Sequence, residues 1–319
     1  MKTLRPEQIT YVDHAAEIIS KAAGLFASQQ PFALITSIAI EGGAARDVGS
    51  LAMVDARGEM TGYLSNGCID RDIRLRALDA LETGKRQVVR YGEGSRFMDL
   101  KLPCGGALTI VIDPNPDGAA LTQAAASLAD RKPAQLTFSA DGADGPGQGV
   151  VQFEYVPVFR LVLAGRGAIF RSMAQAAEAV GLQIDLLSPD TDDLDALCTL
   201  SPNKMQHLRS PYEEISIKDA DPFSAVLTLF HDHEWEPAIL RAALKTPAFF
   251  IGSLGSKRTH AQRCAELVAQ GVEPDSLARL KGPIGLVPSL RSAPLIAVSA
   301  LAEITQNMPA QIRMTPEMV

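Results

Sequence analysis

The sequence predicts an α/β protein in two parts. Residues 1–150 read as an N-terminal α+β domain carrying cysteine-glycine motifs, and residues 151–319 as a Rossmann-like, doubly wound parallel-sheet domain. Three observations lead there. The 319 residues are enough for roughly two domains of about 150 residues each. The second half alternates apolar β-rich runs with helical stretches, the βαβ pattern of a parallel sheet. The first half places its glycines, and two of the four cysteines, in turns between short strands.

Composition narrows the class. A hydrophobic share of 46% and a charged share of 21% are ordinary for a globular chain. The net charge of −7 argues against a nucleic-acid partner. Met1-Lys2-Thr3-Leu4-Arg5-Pro6-Glu7 has no apolar signal-peptide core. No apolar run reaches the roughly 18 residues of a membrane span, so a cytoplasmic chain is expected. The cysteines stand at 68, 104, 198 and 264 without C-x-x-C spacing, and read as reduced thiols rather than a disulfide framework.

In the first half, Ala15, Ile18, Ile19, Ala22, Leu25 and Phe26 recur at helical spacing. A strand is expected over 32–40, then the glycine loop Glu41-Gly42-Gly43-Ala44-Ala45-Arg46-Asp47-Val48-Gly49-Ser50. A hairpin over 51–54 and 60–64 turns about Asp55-Ala56-Arg57-Gly58. Ile69, Ile73, Ala77, Ala80 and Leu81 give a second helix, ended by Gly84. Cys68, in Ser65-Asn66-Gly67-Cys68-Ile69-Asp70, would sit at its N-terminus, where helix dipole and unpaired N–H groups attract anions and favour a thiolate. Strands over 87–91 and 107–112 flank a polar loop closed by Cys104-Gly105-Gly106. A helix over 118–130 and strands near 135–139 and 149–155 complete this half.

The second half begins with an apolar strand over 159–164. Gly165-Arg166-Gly167-Ala168-Ile169-Phe170 then turns into a helix ending at Gly181, the setting of a dinucleotide loop, although Phe170 replaces the third glycine. An acid for a ribose would be Asp190, while Ser188 lies nearer the strand end. Further strands are expected over 184–187, 225–230 and 248–251, with helices over 235–244 and 259–270. Gly252-Ser253-Leu254-Gly255-Ser256-Lys257-Arg258 reads as an anion site, because backbone N–H groups and cations precede a helix. His231-Asp232-His233 could hold a metal but lacks a third spaced ligand, and the bland alternative is polar lining of the crevice. Cys198 and Cys264 read as packing thiols. Cys68 and Cys104, in glycine turns, are the candidate functional ones, since a soft thiolate suits a soft metal or sulfur chemistry.

Taken together these residues resemble the XdhC/CoxI family of maturation factors for xanthine dehydrogenase and carbon monoxide dehydrogenase. The resemblance runs through Gly42 to Ser50, Gly67-Cys68-Ile69-Asp70, Tyr91-Gly92 and Cys104-Gly105-Gly106. It continues through Leu163-Ala164-Gly165-Arg166-Gly167, His231-Asp232, Phe250 to Thr259, Pro283-Ile284-Gly285-Leu286 and Ile296 to Ile304. Ala45, Asn66, Asp70 and Ser188 stand where the family more often has proline, glycine, glutamate and aspartate.

The resemblance implies a chaperone rather than a catalyst, binding molybdenum cofactor as molybdopterin or its nucleotide form. It implies a xanthine-, aldehyde- or carbon monoxide-dehydrogenase-type client, sulfuration with a cysteine desulfurase, and a homodimer. The residues that would hold the cofactor are Arg46, Gly49, Ser50, Gly67, Cys68, Cys104, Gly105 and Gly106 in the first half. In the second they are Gly165, Gly167, His231, Gly252, Gly255, Ser256, Lys257 and Arg258, with Cys104 as the metal ligand. The alternative is an NAD(P)-dependent oxidoreductase using the second domain.

Overall fold

The structure, a computed structural model, describes residues 9–93, 105–141, 149–212 and 217–314. The chain forms two compact units that divide between Pro157 and Val158, and the stretch from Ala310 returns to the first.

The first unit contains β1 (Ile9–Thr10), α1 (Ala15–Ala27), β2 (Phe32–Glu41), β3 (Leu51–Asp55), β4 (Met60–Gly62), α2 (Asp70–Thr83), β5 (Gln87–Gly92), β6 (Ala107–Asp113), α3 (Gly118–Ala129), β7 (Ala134–Ser139) and β8 (Val150–Tyr155). Its six-stranded sheet has the order β1-β4-β3-β2-β6-β5, antiparallel except for β1 beside β4. Strand residues alternate between faces, so Ala33, Ile35, Ala52, Val54, Ile110 and Ile112 share one core with Ile73, Ala77 and Ala80 of α2. Helix α2 stops where expected, because Gly84 takes the left-handed φ of 68° and returns its N–H to Ala80. The β2–β6 register shifts between Ser37 and Ala39. At that point the long loop rejoins the strand: Gly49 N–H donates to Ser37 O at 2.7 Å, and Ser37 N–H to Ser50 O at 3.0 Å.

Helix α1 is capped by an unusual residue. His14 Nδ1 accepts the Ala16 N–H at 3.2 Å, which makes the ring a neutral acceptor at a buried position.

The second unit contains β9 (Arg160–Gly165), α4 (Gly167–Ala179), β10 (Gln183–Ser188), α5 (Thr191–Leu197), β11 (Lys204–His207), β12 (Ser224–Leu229), α6 (Glu236–Leu244), β13 (Phe250–Ser253), α7 (Lys257–Ala269), α8 (Pro274–Leu277), β14 (Leu280–Lys281) and α9 (Ala293–Asn307). All six strands are parallel, in the order β11-β10-β9-β12-β13-β14. Numbered from β9, that is 3-2-1-4-5-6, the Rossmann order with its reversal between β9 and β12. One apolar layer packs α4 and α9 on the sheet, and another packs α6 and α7. Finally β15 (Ile312–Met314) pairs with β8, forming with β7 a three-stranded antiparallel sheet of the first unit.

The second unit buries an ion pair. Glu236 at the start of α6 and Arg263 in α7 are both almost fully enclosed. Arg263 Nε donates to Glu236 Oε2 at 2.9 Å and Nη2 to Oε1 at 3.2 Å. Ser253 Oγ donates to Glu236 Oε1 at 2.9 Å, and Thr228 Oγ1 to Ser253 Oγ at 2.6 Å. Arg263 Nη2 also holds the Leu254 carbonyl at 2.8 Å. The ends of β12 and β13 and the loop after β13 are thereby fixed to two helices.

Two outcomes are expected. Glu236→Ala strands a buried guanidinium and should cost about 3–5 kcal/mol. Replacing both partners with Glu236→Leu and Arg263→Met should cost much less. Urea unfolding followed by fluorescence of Trp235, the single tryptophan, reads both. The His14 pKa is lowered to about 4, first by burial and second by the Arg131 charge. The unfolded chain binds this proton near pH 6.5 and the folded chain only near pH 4. Stability should therefore fall as pH drops through that window, by up to about 1.4 kcal/mol per pH unit. His14→Asn should flatten that slope in urea titrations at pH 7 and pH 5.

Candidate functional site

In the first unit, glycines bring three strand ends into backbone contact. A Cβ on Gly106 would lie 2.3 Å from Gly43 O, and one on Gly92 2.1 Å from Gly106 O. Gly42 takes a φ of 70° and its missing Cβ would lie 3.2 Å from Gly106 Cα. No side chain fits at this junction, which places Gly105 and Gly106 beside the loop 41–45. Residues 41–45 and Gly105 are exposed. Glu41 and Arg90 close the strand edge with a two-bond ion pair at 2.9 and 2.8 Å. Cys104, the expected metal ligand, lies outside the described residues.

Arg46 is committed inside the fold. It forms an ion pair with Asp13, donates from Nη2 to Asp13 O at 2.6 Å, and stacks over the Tyr63 ring at 4.6 Å. Tyr63 Oη donates to Asp13 Oδ1 at 2.7 Å. Arg46 is among the residues expected to hold the cofactor, and the contacts present are those of a loop tether. Gly49, with φ at 87°, is enclosed: its Cβ would lie 2.7 Å from Ile312 Cγ2 and 2.9 Å from Phe153. Ser50 is buried. Gly49 serves the packing of the loop against the three-stranded sheet.

The thiol turn differs from expectation in one respect. Its N–H groups are engaged by Asp70, whose side chain is fully buried. Oδ1 accepts from Leu64 N–H at 3.0 Å and Ser65 N–H at 3.1 Å. Oδ2 accepts from Ser65 Oγ at 2.7 Å and Gly67 N–H at 2.9 Å. Ser65 Oγ in turn accepts the Ile69 N–H at 3.1 Å. An internal carboxylate thus ties down the turn that precedes α2. Asn66, Gly67 and Cys68 are left exposed on a rigid turn, so Cys68 is a presented thiol. Arg74 is also committed, buried and bonded to Gly58 O.

In the second unit, the chain reversal gathers the expected residues along the carboxyl edge of the sheet. Gly165 lies against β12, where a Cβ would sit 2.8 Å from Leu229 O. Arg166 bonds Asp232 Oδ2 at 2.8 Å across the reversal, and His231 beside it is exposed. Gly167, at φ 79°, donates its N–H to Asp193 Oδ2 at 2.5 Å. Asp193 is buried and also paired with Arg171. Asp190, the expected ribose acid, caps α5 instead, accepting from Asp192 and Asp193 N–H at 2.9 and 3.3 Å. Phe170 fills the third-glycine position as a core residue.

The loop after β13 is different. Gly252 is buried, with space for no Cβ beside Ile284 at 2.6 Å. Gly255 takes a φ of 150°, and Ser256 caps α7 by accepting the Thr259 N–H at 3.1 Å. No acidic residue lies in the first turn of α7. Gly255, Ser256, Lys257 and Arg258 are exposed, and neither cation is ion-paired among the described residues. Arg263 Nη1, beneath the loop, has no hydrogen-bond partner among the described residues. Among the described residues no three His, Cys, Asp or Glu side chains converge as a metal site.

Of the two expected packing thiols, Cys264 packs against the apolar layer of α6 and α7, and Cys198 needs correction. Cys198 is exposed rather than packed, because it lies in a short 3-10 turn after α5. Cys264 is half-buried, 3.6 Å from His260 Nε2. Sequence reading passed over Asp193, Glu236 and Arg263. One signal for Arg263 was available: it shares the buried face of α7 with Leu267, one turn on.

Comparison with known proteins agrees with the fold. The description "XdhC Rossmann domain" matches residues 161–304, and "XdhC and CoxI family" matches residues 25–92. The chain is similar to the molybdenum cofactor insertion chaperone PaoD of Escherichia coli (strain K12), at 28% identity over 94% of this chain and 91% of PaoD. It is also similar to the uncharacterized protein YqeB of the same organism, at 24% identity over 94% of this chain, but it spans only 48% of YqeB. A crystal structure described as a xanthine dehydrogenase from Bacillus halodurans shares the fold, with a TM-score of 0.74 at 20% identity over 92% of this chain and 95% of that one. Matches to both halves, in order, together with a relative alignable over nearly the whole length, show that the chain belongs to the XdhC and CoxI family.

Proposed function

We propose that this chain is a carrier for molybdenum cofactor, as molybdopterin or its nucleotide form, which it protects and inserts into a molybdenum hydroxylase. Family membership and the insertion-chaperone relative support the class of function. The observation that carries the site is the N-terminus of α7. It combines a glycine turn, a hydroxyl cap, two exposed cations and no carboxylate, at the carboxyl edge of a parallel sheet. Backbone N–H groups and the helix dipole favour a phosphate there, and the cofactor carries one.

Within this reading Gly255, Ser256, Lys257 and Arg258 hold the phosphate, and Gly165, Gly167 and His231 line the crevice beside it. Separately, within the first unit, Cys68 after Gly67 and Cys104 before Gly105 and Gly106 supply soft thiols for metal or sulfur chemistry. Arg46, Gly49 and Ser50 order the glycine loop 41–50 that precedes both thiols in sequence. The client is of xanthine-, aldehyde- or carbon monoxide-dehydrogenase type, the sulfur comes from a cysteine desulfurase, and the carrier works as a homodimer in the cytoplasm. A carrier needs no turnover of its own. Affinity must be high enough to shield the cargo and low enough to release it.

Protein purified without oxygen from cells that make the cofactor should contain molybdenum and oxidisable pterin near one equivalent per chain. Lys257→Ala with Arg258→Ala should lower the pterin content about tenfold or more, the scale of losing charge-assisted phosphate contacts. Full pterin retention by that double variant would move the phosphate elsewhere. Absence of pterin together with tight NADPH binding would replace the carrier with the NAD(P)-dependent oxidoreductase. Cys104→Ala should abolish client activation in a deletion strain, and unchanged activation would remove that thiol from the mechanism.

A further inference from the structure

The first glycine loop of the Rossmann unit already holds an anion of its own. In the Rossmann arrangement a ligand's pyrophosphate lies at the turn between the first strand and its helix, against the glycine N–H groups. Here that turn is Gly165-Arg166-Gly167, at the sheet reversal. Gly165 approaches β12 so closely that only glycine fits, and a Cβ on Gly167 would meet nothing within 4 Å. Yet the Gly167 N–H points to Asp193 Oδ2 at 2.5 Å. The other oxygen, Oδ1, is held by Arg171 Nε. Asp193 is 2% exposed, and it arrives from the first turn of α5, a neighbouring element rather than the loop itself.

We propose that Asp193 is a gate on this loop: its carboxylate occupies the place of a ligand phosphate, and a nucleoside diphosphate seats only when Asp193 withdraws. One N–H cannot serve two anions. A bound phosphate beside an ionised, enclosed carboxylate would also meet like-charge repulsion in a region of low dielectric. Arg171 can accompany Asp193 outward because its own side chain is 41% exposed. The gate separates two classes of ligand. A compound with a single terminal phosphate is served by α7 without moving anything, whereas a dinucleotide must displace Asp193. The inference deepens the carrier reading by naming which form of the cargo meets a barrier, and rests on that reading only for the identity of the natural ligand.

The test is calorimetric titration of ADP into the full chain and two variants, Asp193→Ser and the isosteric Asp193→Asn. Wild type should bind ADP weakly. Asp193→Ser should bind about tenfold more tightly or better, and Asp193→Asn, which folds with the same shape but lacks the charge, should show part of that gain. A folding defect lowers affinity, so a gain cannot arise from damage. Equal affinity in all three proteins, or tighter binding by wild type as expected if Asp193 grips a ribose, overturns the gate. Pterin content measured on the same preparations keeps the questions apart: a gain in ADP binding with no pterin in any of them leaves the gate standing and removes the carrier.

Discussion

The carboxylate of Asp70 accepts four hydrogen bonds from Leu64, Ser65 and Gly67 without leaving the core. It illustrates the constraint that shapes this molecule. A turn rich in glycine can approach a neighbour closely, but it leaves backbone N–H groups that must find acceptors. In the thiol turn Asp70 supplies them. In the first Rossmann loop Asp193 takes the Gly167 N–H. Each carboxylate satisfies turn N–H groups from inside the fold. For Cys68 the result is an exposed thiol on a fixed platform. A thiol that exchanges sulfur or contacts a metal benefits from position more than from a neighbouring anion.

The loop before α7 is built the other way. Its support comes from below, where Glu236, Ser253, Thr228 and Arg263 form a buried network that fastens the Leu254 carbonyl. Its cap is a neutral hydroxyl, Ser256. The charged groups at its mouth, Lys257 and Arg258, are positive and exposed. Rigidity is thus obtained without placing a negative charge at the helix N-terminus, and that distinction between two outwardly similar glycine loops lies in residues remote from either motif.

Much of the fold was legible in the sequence, because long elements carry strong periodicity. The buried stripe Ile18, Ile19 and Ala22 gave α1, and Ile73, Ala77 and Ala80 with Gly84 gave α2 and its end. The apolar runs of β9, β10, β12 and β13 gave the parallel sheet. Short or half-exposed edge elements escaped: β11 is Lys-Met-Gln-His with little apolar signal, and β14 has two residues. The last helix, α9, was not read as one from its periodicity. In the candidate site, the glycines that permit close backbone approach were visible as motifs. The acids that fill the turns were not, since Asp193 between Asp192 and Leu194 looks like any solvated helix start until tertiary structure encloses it.

Amide chemical shifts read this division of anion seats directly. Inorganic phosphate titrated into uniformly 15N-labelled protein should move the resonances of Gly255, Ser256, Lys257 and Arg258, and should leave Gly67 and Gly167 in place because Asp70 and Asp193 already hold them. Saturable shifts at Gly67 or Gly167, with the start of α7 silent, would contradict the assignment of α7 as the open site.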